Sequence, residues 1–331
     1  MNITIIGGSG FIGSRLCQRL QNTGIDFTII DKNPSHFFSN RVSIADIRDY
    51  DSLYKAIQPC DAVINLAAEH RDDVSPRSLY DEVNVKGSEN IVKVCSEKGI
   101  QHIIFTSSVA VYGFAPPNTG EDGAINYFND YGRTKWEAEQ VYKTWYEADT
   151  NNRNLTIIRP TVVFGERNRG NVYNLLKQIA SGLFPMVGNG KNIKSMAYVE
   201  NVAAFIEYML THHKGMQIYN YIDKPDFTMN DLVCLVRETM GGKPTTGFHW
   251  PYWLGYIGGL FFDAIAWLLH KKLPISSIRV KKFCATTQFN TRIFKDTDFC
   301  PPVSLKDGLM RTIQFEFVNK KDPNEVLFYS E

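Results

Sequence analysis

A short apolar strand pattern, Ile3 to Ile6, runs directly into Gly7-Gly8-Ser9-Gly10-Phe11-Ile12-Gly13. A helical pattern follows, with Phe11, Leu16 and Leu20 spaced for one face. Three glycines at this spacing between a strand and a helix suit a phosphate-binding turn. Gly7 permits the tight turn, Gly10 lets the backbone approach a pyrophosphate, and Gly13 lets the helix pack close to the strand. The helix N-terminus, with Phe11 and Ile12 in its first turn, then offers free N–H groups and a positive dipole end. The competing reading is an ordinary glycine turn, and the strand-to-helix context argues against it.

The second apolar run, Phe27 to Ile30, ends at Asp31, 18 residues after Gly13. A carboxylate there can accept hydrogen bonds from ribose hydroxyls and would repel a 2′-phosphate, which favours NAD over NADP. Asp31 could instead only cap a turn. Lys32 beside it weakens the preference.

The 331 residues suffice for one large domain or for a large and a small one. A formal net charge of +1, with no basic arm, gives no reason to expect nucleic acid. The six cysteines are scattered without paired spacing, which suits a reducing, cytoplasmic setting and argues against a zinc site; no other metal-ligand cluster can be assembled. The fold pattern begins at residue 2, with no signal segment expected before it.

Apolar runs ending near Ile6, Ile30, Asn65, Ser107 and Ile158 alternate with helical patterns, notably 79–97 and 131–148. This implies an α/β fold, a Rossmann-type doubly wound parallel sheet over residues 1–165. Residues 166–331 are expected to form mainly a smaller C-terminal substrate-binding lobe, with some segments returning to the main sheet.

Tyr131 and Lys135 form a Tyr-x-x-x-Lys pair one helical turn apart. An ammonium beside a phenol is expected to lower the phenol pKa and fit it for general-base work. Ser108, at the end of a buried strand pattern and 23 residues before Tyr131, can orient the reacting oxygen. Alone, such a pair is common on helix surfaces. The glycine loop and the strand-end serine make it a candidate catalytic set.

These pieces, with Asp46-Ile47, Asn65-Leu66-Ala67-Ala68, Asn84, Gly87, Tyr112-Gly113 and Arg159-Pro160, resemble the extended short-chain dehydrogenase/reductase superfamily, in its NAD-dependent sugar epimerase/dehydratase branch. The resemblance implies bound NAD, with Asp46 and Ile47 flanking the adenine and Leu66 and Ala67 lining the cofactor. Asn84 would brace the active-site backbone. It also implies a homodimer formed through the two long helices. Dehydratases of this branch carry an Asp-Glu pair where Val109 and Ala110 stand, and neither of these can transfer protons. Epimerisation or simple alcohol oxidation is therefore expected. The segments 68–76, 164–173 and 280–289 resemble bacterial O-antigen 4-epimerases acting on a polyprenyl diphosphate-linked N-acetylhexosamine.

Residues 251–270 are the longest apolar stretch, followed at once by Lys271 and Lys272. Three readings stay open: a buried helix, a peripheral segment in the membrane interface, or a span. Asp263 and Gly258-Gly259 argue against a span. Arg167, Arg169 and Arg279 could hold a diphosphate, helped by Asn171. Glu69 and His70 are expected to shape the substrate site. The expected activity is 4-epimerisation of a lipid-linked or nucleotide-linked sugar diphosphate, through Tyr131, Lys135 and Ser108. Alternatives are an oxidoreductase of a hydrophobic alcohol and a dinucleotide-sensing regulator.

Overall fold

A computed structural model describes residues 1–331 other than 72–73, 183, 213, 270–276, 321 and 330–331, and without the side chains of 264, 267–269, 279 and 282. Lys271, Lys272 and the Arg279 side chain thus lie outside the described residues.

The first half alternates strands and helices: β1 (Asn2–Ile6), α1 (Phe11–Thr23), β2 (Asp26–Asp31), β3 (Val42–Ile44), α2 (Tyr50–Ala56), β4 (Ala62–Asn65), α3 (Ser78–Tyr80), α4 (Gly87–Glu97), β5 (His102–Thr106), α5 (Asp130–Glu147) and β6 (Asn154–Pro160). There follow β7 (Val162–Phe164), α6 (Asn171–Ala180), β8 (Met186–Val187), β9 (Ile193–Lys194), β10 (Met196–Tyr198), α7 (Val199–Met209) and β11 (Met216–Tyr221). The chain ends through β12 (Phe227–Thr228), α8 (Met229–Thr239), β13 (His249–Trp250), α9 (Tyr252–Leu269), α10 (Ser277–Cys284), α11 (Ile293–Asp296) and α12 (Leu305–Ile313).

Seven strands form one parallel sheet in the order β11-β6-β5-β4-β1-β2-β3. Their apolar residues serve both faces, because neighbours along a strand point to opposite sides. Ile5 packs with Leu16 and Leu20 of α1 and with Phe205 and Met209 of α7. Ile6 belongs to the other face, with Ile91 and Val94 of α4 and Tyr142 and Trp145 of α5. The winding reverses between β1 and β4, and the crevice beyond the carboxyl ends of these strands is where such sheets take ligands. β11 completes the main sheet from the second half of the chain. A separate core built from α6, α8 and α12, including Leu176, Leu232 and Leu309, supports the smaller lobe.

The helical pattern expected over 79–97 contains a π turn, Asp81–Lys86, between α3 and α4. Among the described residues no helix, α9 included, is long and apolar enough to cross a membrane. It is not buried in the core either. Gly255 packs closely on β8, where an added Cβ would lie 2.5 Å from Val187 Cγ1. Elsewhere α9 leaves Trp253 60% and Phe261 64% exposed. Asp263 Oδ2 accepts the Ser277 N–H at 3.1 Å, tying α9 to the start of α10.

Candidate active site

The glycine loop leaves β1 at the reversal point. Gly7 has φ +80, and an added Cβ would lie 2.7 Å from the Ala67 N at the end of β4. At Gly13 a Cβ would strike Gly7 O at 2.6 Å, so α1 reaches the loop only with glycine there. Gly10 is the N-cap of α1; no side chain caps the helix and no acidic residue occupies its first turn. The helix end is thus left to an external anion. Asp31 Oδ2 accepts the Ser9 N–H at 3.1 Å and Oδ1 accepts the Asn33 N–H at 3.0 Å. It therefore caps its turn and also ties β2 to the glycine loop.

Ile47, expected beside the adenine, is buried, and Gly87 admits it: a Cβ on Gly87 would lie 2.5 Å from Ile47 Cδ1. The Ile47 carbonyl accepts Asn90 Nδ2 at 2.8 Å. Asp46 is paired with Arg48 at 2.7 Å, whose hydrogen bonds hold the carboxyl below its usual range. The Leu66 N–H donates to Ile6 O at 2.8 Å and the Ala67 N–H to Asn65 Oδ1 at 3.0 Å, fixing the wall opposite. The glycine-built cradle, the uncapped helix end and the strand-end carboxylate fit NAD in their donor and acceptor chemistry.

Tyr131 and Lys135 lie in the first two turns of α5, which opens with Asn129 Oδ1 accepting the Gly132 N–H at 2.9 Å. Gly132 lets the helix start approach the turn Val109–Tyr112, since a Cβ there would lie 2.5 Å from Ala110 O. That approach brings Tyr131 close enough to Ser108 for the serine hydroxyl to favour ionisation of the phenol. Ser108 Oγ also accepts the Ala110 N–H at 3.1 Å.

The electrostatics differ from the sequence-based expectation that Lys135 lowers the Tyr131 pKa. Burial raises the Tyr131 hydroxyl above 10.0, opposed by its hydrogen bond to Ser108. Burial likewise pulls Lys135 down to about 7, opposed by the charge of Glu139. Desolvation penalises whichever form of each group is charged, and here it outweighs the partners. The Lys135 Nζ rests 4.5 Å from the centroid of the Phe105 ring.

Beneath these residues lies a buried polar layer that the sequence reading did not identify. Glu139, one turn beyond Lys135, receives Arg159 Nε at 2.8 Å, Arg159 Nη2 at 2.6 Å and Ser107 Oγ at 2.6 Å. Arg159 Nη1 donates to Tyr112 OH at 2.6 Å, which donates to Asn220 Oδ1 at 2.8 Å. The helical spacing from Lys135 to Glu139 and the charge of Arg159 on β6 were its only visible signals. Asn84, in the π turn, accepts the Glu69 N–H at 2.8 Å and donates to Glu69 O at 3.0 Å and Thr134 Oγ1 at 2.9 Å. It thereby joins the segment after β4 to α5 next to Lys135.

Glu69 is buried; burial alone would raise its pKa, but Arg71, at 3.1 Å, holds it below the usual value. Burial lowers His70, and the charge of Lys135 acts on it in the same direction. Arg167 is ion-paired with Glu325. Arg169 Nη1 lies 2.8 Å from Glu316 Oε1, its guanidinium 4.1 Å from the Tyr173 ring centroid. Both arginines expected at a diphosphate therefore have carboxylate partners from the chain's C-terminal segment. Asn171 is exposed at the start of α6.

The sequence profile of the NAD dependent epimerase/dehydratase family matches residues 3–221. The chain is 50% identical over 333 residues to the N-acetyl-alpha-D-glucosaminyl-diphospho-ditrans,octacis-undecaprenol 4-epimerase of Escherichia coli O157:H7, covering 100% of this chain and 99% of that protein. It is 25% identical over 332 residues to the UDP-glucose 4-epimerase of Vibrio cholerae, covering 95% and 94%. The crystal structure of a Thermotoga maritima UDP-glucose 4-epimerase with UDP-glucose has the same fold, with a TM-score of 0.72 at 19% identity over 95% of this chain and 98% of the other. The chain belongs to the NAD-dependent epimerase/dehydratase family.

Proposed function

We propose that this protein is a 4-epimerase that interconverts the gluco and galacto forms of an N-acetylhexosamine carried on undecaprenyl diphosphate, in surface-polysaccharide synthesis. The observation that carries the reading is the 50% identity, across the whole chain, to a protein bearing that activity in its name. The neighbouring Ser108 and Tyr131, with Lys135 on the same helix face as Tyr131, would supply its chemistry.

NAD, held by the glycine loop and Asp31, would supply when bound the reversible hydride acceptor that oxidation at the sugar C4 requires. Tyr131, as the phenolate, accepts the proton of the 4-hydroxyl and gives it back to the same oxygen. Ser108 orients that oxygen by hydrogen bonding. Lys135 contributes positive charge beside the phenol when protonated. The 4-keto sugar turns over inside the site between the two transfers, so one face loses hydrogen and the other gains it. Glu69 and His70 border the sugar, and Asn171 and Arg279 are the candidates for the diphosphate.

Two surfaces complete the proposal. The exposed aromatic face of α9 lies in the membrane interface, where the lipid carrier is delivered. The outer faces of α4 and α5, which leave an open groove between Val92, Val141 and Trp145, pair with a second copy.

The test is a paired assay on NAD-loaded protein, with N-acetylglucosamine on undecaprenyl diphosphate in detergent or on UDP. Conversion of the lipid-linked sugar alone supports the proposal. Conversion of only the UDP-sugar would move the protein to the nucleotide-sugar epimerases.

A further inference from the structure

The C-terminal segment returns to the glycine loop. Phe328 has its ring centroid 5.7 Å from Phe11 and 6.5 Å from Phe37. Phe11 opens α1, whose uncapped N-terminus suits a diphosphate; Phe37 lies in the loop that follows Asp31. One aromatic side chain thus bridges the phosphate side and the ribose side of the dinucleotide site.

The segment is fastened, not merely adjacent. The Arg169 N–H donates to Phe328 O at 2.7 Å and the Phe328 N–H to Arg167 O at 2.9 Å, a short parallel bridge. Glu325 pairs with Arg167, whose guanidinium lies 5.4 Å from the Phe37 ring centroid. The 165–169 loop is pinned from below: buried Glu316 accepts the Arg167 N–H at 2.8 Å, and Arg15 of α1 lies 3.5 Å from Glu166. These contacts join the C-terminal segment to the start of α1, to the loop after Asp31 and to the 165–169 loop.

We infer that Glu325 to Phe328 form a wall of the dinucleotide site, with Phe328 retaining the adenosine-diphosphate half of NAD. This rests on the reading of the glycine loop as the NAD site. The wall acts on cofactor exchange and not on the chemistry at Tyr131. A 4-epimerase regenerates its oxidant in every cycle, so slow release keeps the enzyme active without free NAD.

The test compares wild type, Phe328→Ala and the outward control Tyr329→Ala, each loaded with NAD and then chased with labelled NAD. Phe328→Ala is expected to release NAD about tenfold faster, in line with the loss of its ring contacts, and to lose it on gel filtration. Tyr329→Ala is expected to release it at the wild-type rate. Should Phe328→Ala fail to fold by its thermal melt, Glu325→Gln, which only unties Arg167, is expected to speed release in the same direction. A folded Phe328→Ala, or in its place Glu325→Gln, that releases NAD at the wild-type rate overturns this inference alone. A wild-type protein that binds no NAD overturns the glycine-loop reading, and this inference with it.

Discussion

Tyr131 and Lys135 sit where water does not compensate charge, and burial pushes each toward its neutral form. A neutral phenol cannot accept a proton, so Tyr131 has to lose its own proton to solvent before it can act as the base. Tyr131→Phe keeps the ring and removes the hydroxyl. It is expected to lower turnover by about 10²–10⁴-fold while NAD stays bound, read by product analysis and by the NAD content of the purified variant. Near-normal turnover would remove Tyr131 from the mechanism. Lys135 predicts a pH dependence of stability. Its folded-state pKa of about 7 lies below its ordinary 10.5, so the unfolded chain binds more protons between these values. This group's contribution to stability therefore rises with pH across that window. Lys135→Met is expected to be more stable than wild type near pH 7, the gap closing toward pH 10.5, as read by denaturant unfolding. A gap independent of pH would contradict the buried-lysine account. The Tyr-x-x-x-Lys pair was legible in the sequence, but the sign of its pKa shifts was not, because spacing carries no information about desolvation. Gly132 stood inside the motif, yet only the distance to Ala110 O explains why it must be glycine.

At the scale of elements, the strand–glycine–helix unit was legible because both its periodicity and its glycines are local. The π turn at 81–86 was not: one extra residue per turn leaves the apolar pattern of 79–97 almost unchanged, while the turn carries Asn84 between Glu69 and Thr134. The apolar stretch 251–270 was visible as a helix candidate, but its composition could not say which side stays exposed. The close contact of Gly255 with β8 decides that, leaving Tyr252, Trp253, Ile257, Leu260 and Phe261 exposed. An apolar face of this extent needs a cover. Replacing Trp253 and Phe261 together by Ser is expected to weaken partitioning onto anionic lipid vesicles at least about tenfold, from the apolar area lost. Thermal stability should stay close to wild type, since both side chains face outward. Equal co-sedimentation of the two proteins with vesicles would contradict a membrane role for α9.

For the whole molecule, the alternation of strands and helices pointed to the doubly wound sheet, and its order places the glycine loop, Ser108 and the start of α5 around one crevice. Contacts between distant segments were hidden. Arg167 and Arg169 read as phosphate ligands while their partners, Glu325 and Glu316, lay some 150 residues away. Arg159 and Glu139 likewise become a buried pair only once β6 lies beside α5. The molecule thus places the glycine-loop crevice and Tyr131 within one scaffold, and the proposed function is that bound NAD and this tyrosine invert C4 without net oxidation. The most direct measurement supplies N-acetylglucosamine on undecaprenyl diphosphate with deuterium at C4 and follows the label. The account predicts the galacto epimer with deuterium retained at C4 and no release of reduced cofactor. Loss of the label to solvent, or release of reduced cofactor in step with substrate, would contradict it.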